Sequence, residues 1–120
     1  MTIVSDERLK TIDGGYTKSL QDVLKLNTIL FHYKIGNTLS LPSDEQYYGF
    51  SAQEVQKIYP EAVKTGKEGY LNFNMHPILV SFVNAFKEQQ QQIEDQEKQL
   101  DDQKKIIDAL LKRVEKLESK

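Results

Sequence analysis

From Ile78 to Lys120 the chain contains neither Gly nor Pro, and apolar side chains recur in alternate steps of three and four. The series runs Leu79, Phe82, Phe86, Gln89, Ile93, Gln96, Leu100, Gln103, Ile107, Leu110, Val114 and Leu117, nine of its twelve positions apolar and none skipped. A heptad stripe without helix breakers predicts one long helix over 77–120 whose apolar residues form a coiled-coil seam. The other faces carry Glu94, Asp95, Lys98, Asp101, Asp102, Lys105 and Lys112. A helix cannot bury so narrow a seam against itself, so it needs partners.

With Leu79 at position a, Ile93, Ile107 and Val114 also fall at a, Leu110 and Leu117 at d, and the three seam glutamines at successive d positions. The last layers favour two strands on the simplest rule, and the glutamines work against it. The wider channel of a three-stranded coil lets Gln side chains bond one another or water. Ile106 and Leu111, at g and e, widen the apolar strip in the same direction. These features favour a parallel trimer, with a dimer left open as the alternative. Arg113 at g and Glu118 at the following e are placed for an interhelical ion pair, worth about 0–1 kcal/mol at an exposed site and more useful for register than for stability. The seven glutamines between Gln89 and Gln103 read as a solvated helix face, because the seam runs through them without interruption.

The first 76 residues are patterned differently. Gly14-Gly15, Gly36-Asn37, Pro42-Ser43-Asp44 and Gly66 through Gly69 punctuate short segments. Ser19–Leu26 suits two helical turns capped by Thr17 or Ser19, and Ile29–Lys34 suits a strand. Tyr47–Phe50 suits a second strand, followed by a helix capped by Ser51 with Glu54 in capping-box spacing and stopped by Pro60. Glu68–Phe73 suits a third strand, and His76-Pro77 leads into the long helix. The fold class is thus α+β: a small head of short strands and helices over 5–76, then the coiled-coil helix over 77–120.

Composition removes several function classes. Only 38% of residues are apolar, against about 45–50% in an average globular domain, so part of the length stays outside a core. The chain has no cysteine, which removes disulfides, a thiolate nucleophile and Cys-ligated metal. Residues 1–86 carry 8 basic and 9 acidic side chains and residues 87–120 carry 8 and 9 again, so neither part offers the basic surface that nucleic acid requires. The nearly apolar run Pro77–Phe86 falls well short of the roughly 20 residues of a membrane span, and the N-terminus has no signal-peptide pattern. His32 and His76 are not in metal-ligand spacing, and the glycines form neither GxGxxG nor a Walker A loop, so no metal or cofactor is expected.

Ser5-Asp6-Glu7-Arg8-Leu9-Lys10 supports two readings. Ser5 followed by two acids describes a helix start, with the serine as N-cap. Alternatively Ser5 and Lys10 form a dyad, in which a lysine desolvated enough to be neutral takes the hydroxyl proton. Five residues of ideal helix would point the two about 140° apart. A dyad therefore needs a turn between them, or a Lys10 from a neighbouring chain.

Together, Ser5–Lys10, the stretch Tyr48-Gly49-Phe50-Ser51-Ala52-Gln53-Glu54-Val55 through Tyr59-Pro60, and Gly69-Tyr70-Leu71 before a terminal helix resemble the S74-type intramolecular chaperone and autoprocessing family. Such domains occur at the C-termini of bacteriophage tailspikes, tail fibres and endosialidases, and in myelin-regulatory-factor-like proteins. The resemblance implies a homotrimeric chaperone that assembles an upstream fibre segment of the same polypeptide and then cuts itself free. Carried over residue by residue, it implies Ser5 as nucleophile, Lys10 as general base, Val4–Ser5 as scissile bond and residues 1–4 as a remnant of the client. It also implies assembly in the host bacterial cytoplasm, with the mature fibre in the virion tail. Gly49 and Ala52 are expected to permit strand-to-helix packing, with Gln53 or Glu54 placed to orient Lys10. The competing reading is a trimerisation module that does not cleave.

Overall fold

The computed structural model describes residues 2–119. An N-terminal arm leads into a small α+β head, from which a single long helix extends; the molecule measures 85 × 45 × 26 Å. The elements in order are α1 (Leu20–Val23), β1 (Ile29–Phe31), β2 (Tyr47–Gly49), α2 (Ala52–Ile58), β3 (Val63–Thr65), β4 (Leu71–Phe73) and α3 (Met75–Glu118).

The strands form two antiparallel pairs. In one, Leu30 lies opposite Tyr48; in the other, Lys64 lies opposite Asn72. Both pairs are shorter than the sequence pattern suggests, because β1 ends at Phe31 and Glu68-Gly69 falls in a tight turn before β4. Strand β3 was not expected from the sequence. Its three residues are too few to alternate visibly, and Gly66 follows directly on their last pair. The Gly66 N–H donates to the Tyr70 carbonyl (2.7 Å), and a Cβ on Gly66 would lie 2.1 Å from Asn72 Nδ2. A side chain at position 66 would therefore displace the exposed Asn72 amide.

The loop joining β1 to β2 is held by one side chain. Asn37 donates through Nδ2 to the carbonyls of Lys34 (2.9 Å) and Leu41 (2.8 Å), and its Oδ1 accepts from the Leu41 N–H (2.9 Å). An amide with two donors and an acceptor is suited to three such bonds.

Helix α2 follows Ser51, whose hydroxyl turns to Gln53 Oε1 (3.4 Å) instead of closing the expected capping box. Asp22 supplies a reach-back of that kind at α1, accepting from the Ser19 N–H (2.9 Å). Val55 of α2 and Tyr59 at its C-cap, with Ala62 and Ile78, make the buried core, flanked by Leu26, Phe50, Ile58, Val63, Phe73, Met75 and Phe82. Asn74 caps α3 by accepting from the His76 N–H (3.0 Å). The helix therefore begins two residues before Pro77, which sits in the first turn where its missing N–H costs no intrahelical bond. At 44 residues, α3 is about 66 Å long.

The first turns of α3 have two distinct faces. Ile78, Ser81 and Ala85 are buried against the head. Ser81 Oγ donates to the Ile78 carbonyl (2.6 Å), which leaves Tyr59 as the donor to Ser81 across 2.8 Å. This satisfies the two hydroxyls where the core is deepest, and burial raises the Tyr59 hydroxyl above its ordinary pKa, with the Ser81 bond opposing. The seam residues Leu79 (51% exposed) and Phe86 (71% exposed) face away from the head.

Candidate active site

Residues 2–15 are exposed throughout, and among the described residues no hydrogen bond joins them to the rest of the chain. Their local order comes from a single 3-10 turn, Glu7–Leu9. Asp6 is its N-cap, accepting from the Arg8 N–H (2.9 Å), and the Arg8 guanidinium grips the same carboxylate at 2.8 Å. Arg8 holds the Asp6 carboxyl below the usual carboxylate range, and Asp6 in turn raises the guanidinium.

This arrangement bears on both readings of the Ser5 segment. Asp6 takes the capping role, so Ser5 is free of it, and the tight turn reverses the chain enough that Lys10 Nζ of the same molecule donates to Ser5 Oγ. The turn needed between the two residues is present, and no neighbouring chain is required to bring them together. Val4, whose carbonyl precedes Ser5, is 84% exposed, and Ile3, Leu9 and Ile12 are also exposed on the arm. Gln53 and Glu54 make no hydrogen bond to Lys10. A Cβ on Gly49 would meet only the Phe31 ring at 3.5 Å, an ordinary contact, so the expected steric need for glycine there is absent.

The seam remains open along its length. Leu79, Phe86, Ile93, Leu100, Ile107, Leu110, Val114 and Leu117 are exposed apolar residues, and Phe82 is half-buried against the core. Gln89, Gln96 and Gln103 are exposed within the same stripe. His32 and His76 are exposed too, and the described residues contain no group of side chains that could hold a metal. No described helix is long and apolar enough to cross a membrane.

Sequence reasoning missed the residues that dock the base of the arm. Asn84 and Glu88 of α3 bond to Tyr16, Lys18, Ser19 and Leu20. The available signal was a second helical stripe beside the seam, since Ser81, Asn84 and Glu88 recur at three- and four-residue spacing.

A comparison with curated proteins yields no match. The family profile described as "Chaperone of endosialidase", of the peptidase S74 type, matches residues 5–64, opening at Ser5 and ending within β3. That match spans half of the chain, and the chain belongs to this family.

Proposed function

We propose that this chain is an intramolecular chaperone domain that gathers three copies of itself through α3, assembles an upstream fibre-like segment, and releases itself by cutting Val4–Ser5. The observation that carries the reading is the Ser5–Lys10 hydrogen bond across a turn that leaves the serine hydroxyl free of capping duty. Family membership supports the chaperone role, and the open seam supports self-association.

In the proposed reaction Ser5 Oγ attacks the Val4 carbonyl carbon as its proton passes to Lys10. Collapse of the tetrahedral adduct breaks the Val4–Ser5 peptide bond, and Lys10 returns the proton to the departing Ser5 nitrogen. The chain is then joined through a Val4–Ser5 ester, which water hydrolyses to a Val4 carboxylate and a free Ser5 hydroxyl and amine. General-base action needs an amine able to accept a proton, and the exposed arm of a lone chain gives it no shelter from water. Neighbouring copies packed around the arm supply that shelter, which ties the single turnover to assembly.

Intact mass spectrometry of a polypeptide carrying native sequence before Val4, beside its Ser5→Ala and Lys10→Ala forms, tests the reading. A break between Val4 and Ser5 in the parent alone is expected. Cleavage of the Ser5→Ala form would overturn the mechanism, and three uncut, trimeric proteins would leave a trimerisation module without protease activity.

A further inference from the structure

The seam and the dyad lie on different parts of the chain, and a set of polar contacts that neither role uses lies between them. Asn84 Nδ2 donates to the Tyr16 carbonyl (2.7 Å) and to the Lys18 carbonyl (2.9 Å). Four residues further along α3, Glu88 Oε2 accepts from the Ser19 hydroxyl (2.6 Å) and the Leu20 N–H (3.1 Å). The Tyr16 hydroxyl donates to Glu61 Oε2 (2.9 Å) just beyond α2, and Lys18 Nζ stands 5.9 Å over the Tyr59 ring.

Three of the four bonds made by Asn84 and Glu88 go to main-chain atoms. They therefore fix the path of the backbone while being indifferent to most side chains along it. Both residues lie off the seam, Asn84 at heptad position f and Glu88 at c, so closing the seam leaves their contacts intact. Between Lys10 and Tyr16 stand Thr11, Ile12, Asp13, Gly14 and Gly15, a tether that spans at most about 22 Å when fully extended.

We propose that Asn84 and Glu88 are positioning residues for self-cleavage. They clamp residues 16–20 at a fixed height and azimuth on α3, so that each dyad arrives at an equivalent place around the axis when the helices associate. This inference rests on the cleavage reading above. Without the clamp the arm's tether lengthens into residues 16–20, the volume it samples grows, and the alignment on which proximity catalysis depends is diluted.

The test measures first-order cleavage of a polypeptide with native sequence before Val4, together with its mass by light scattering and its thermal melting. Asn84→Asp keeps the size of the side chain but replaces its two donated bonds with a carboxylate facing two carbonyls. Glu88→Ala removes both acceptances, whereas Glu88→Gln keeps an acceptor oxygen in place. Asn84→Asp and Glu88→Ala should remain trimeric, melt close to the parent and cleave about 10- to 100-fold more slowly, with Glu88→Gln near the parental rate.

Parental rates in both disruptive variants would overturn the clamp's role, and so would loss of the trimer in both, which would make these residues assembly contacts. Slow cleavage in Glu88→Gln equal to that of Glu88→Ala would count against it as well. A parent that stays whole overturns the cleavage reading, and the clamp's role with it; a parent that cuts beside variants that cut equally fast overturns the clamp alone.

Discussion

The start of α3 and its remainder are one helix with different surroundings. Over residues 75–88 two stripes share the surface: Ile78, Ser81 and Ala85 pack against the head while Leu79 and Phe86 face outward. Beyond that stretch the apolar residues are those of the seam with Ile106, Ala109 and Leu111 beside it, and every residue from Lys87 to Ser119 is exposed in the single chain. The stripe of Ile78, Ser81 and Ala85 is covered by its own chain, and the seam is left to solvent apart from half-buried Phe82. A helix surface can meet both demands because two stripes set apart around the axis do not compete for the same residues.

Substitutions on each side of this divide should separate assembly from folding. The largest effect is expected from Ile107→Asp in the outer seam. In the proposed trimer, placing one carboxylate per chain in a single layer costs roughly 5 kcal/mol or more, and analytical ultracentrifugation should find monomer where the parent is expected to sediment as three chains, with head resonances unchanged in NMR spectra. Ile78→Ala addresses the other stripe. Truncating a fully buried isoleucine costs about 3 kcal/mol, visible as a lower melting temperature in head and helix start together, and a melting curve unchanged from the parent would refute the assignment of that face to the core.

Much of this divide was legible in the sequence. A heptad stripe free of Gly and Pro repeats often enough to identify itself, and Ser51, Pro60 and the glycine pairs each mark a boundary through a local backbone preference. The head's interior was harder to read. Val55, Tyr59, Ala62 and Ile78 meet only after the chain has folded back through the β3–β4 hairpin, and three-residue strands are too short to show a period. In the Ser5–Lys10 segment, the residue types and spacing were readable, but helical geometry set the two apart. What joins them is the Asp6–Arg8 turn, a side-chain competition for the cap that spacing alone does not resolve.

Two smaller effects sharpen the comparison between the packed head and the exposed arm. Tyr59→Phe removes the phenol that donates to Ser81 in the core, and the lost hydrogen bond should cost about 1 kcal/mol in a denaturant titration. If stability is instead unchanged, that bond contributes nothing net. The smallest effect belongs to the arm. Asp6 has its carboxyl lowered by Arg8, so this support for the turn is complete above the unfolded carboxylate value of about pH 4 and is lost as pH falls through the lower folded value. In an NMR titration, Arg8→Ala should move the Asp6 midpoint upward toward its ordinary value, and an unmoved midpoint would show that the pair does not act.

The order of the elements along the chain also has a consequence in time. A ribosome makes the arm first, the head next and α3 last. Whatever precedes the arm is therefore complete before the seam exists in full. In the proposed scheme the final helix acts as a clock: a chain broken off early never acquires the surface that admits it to an assembly, and incomplete products are left out by default.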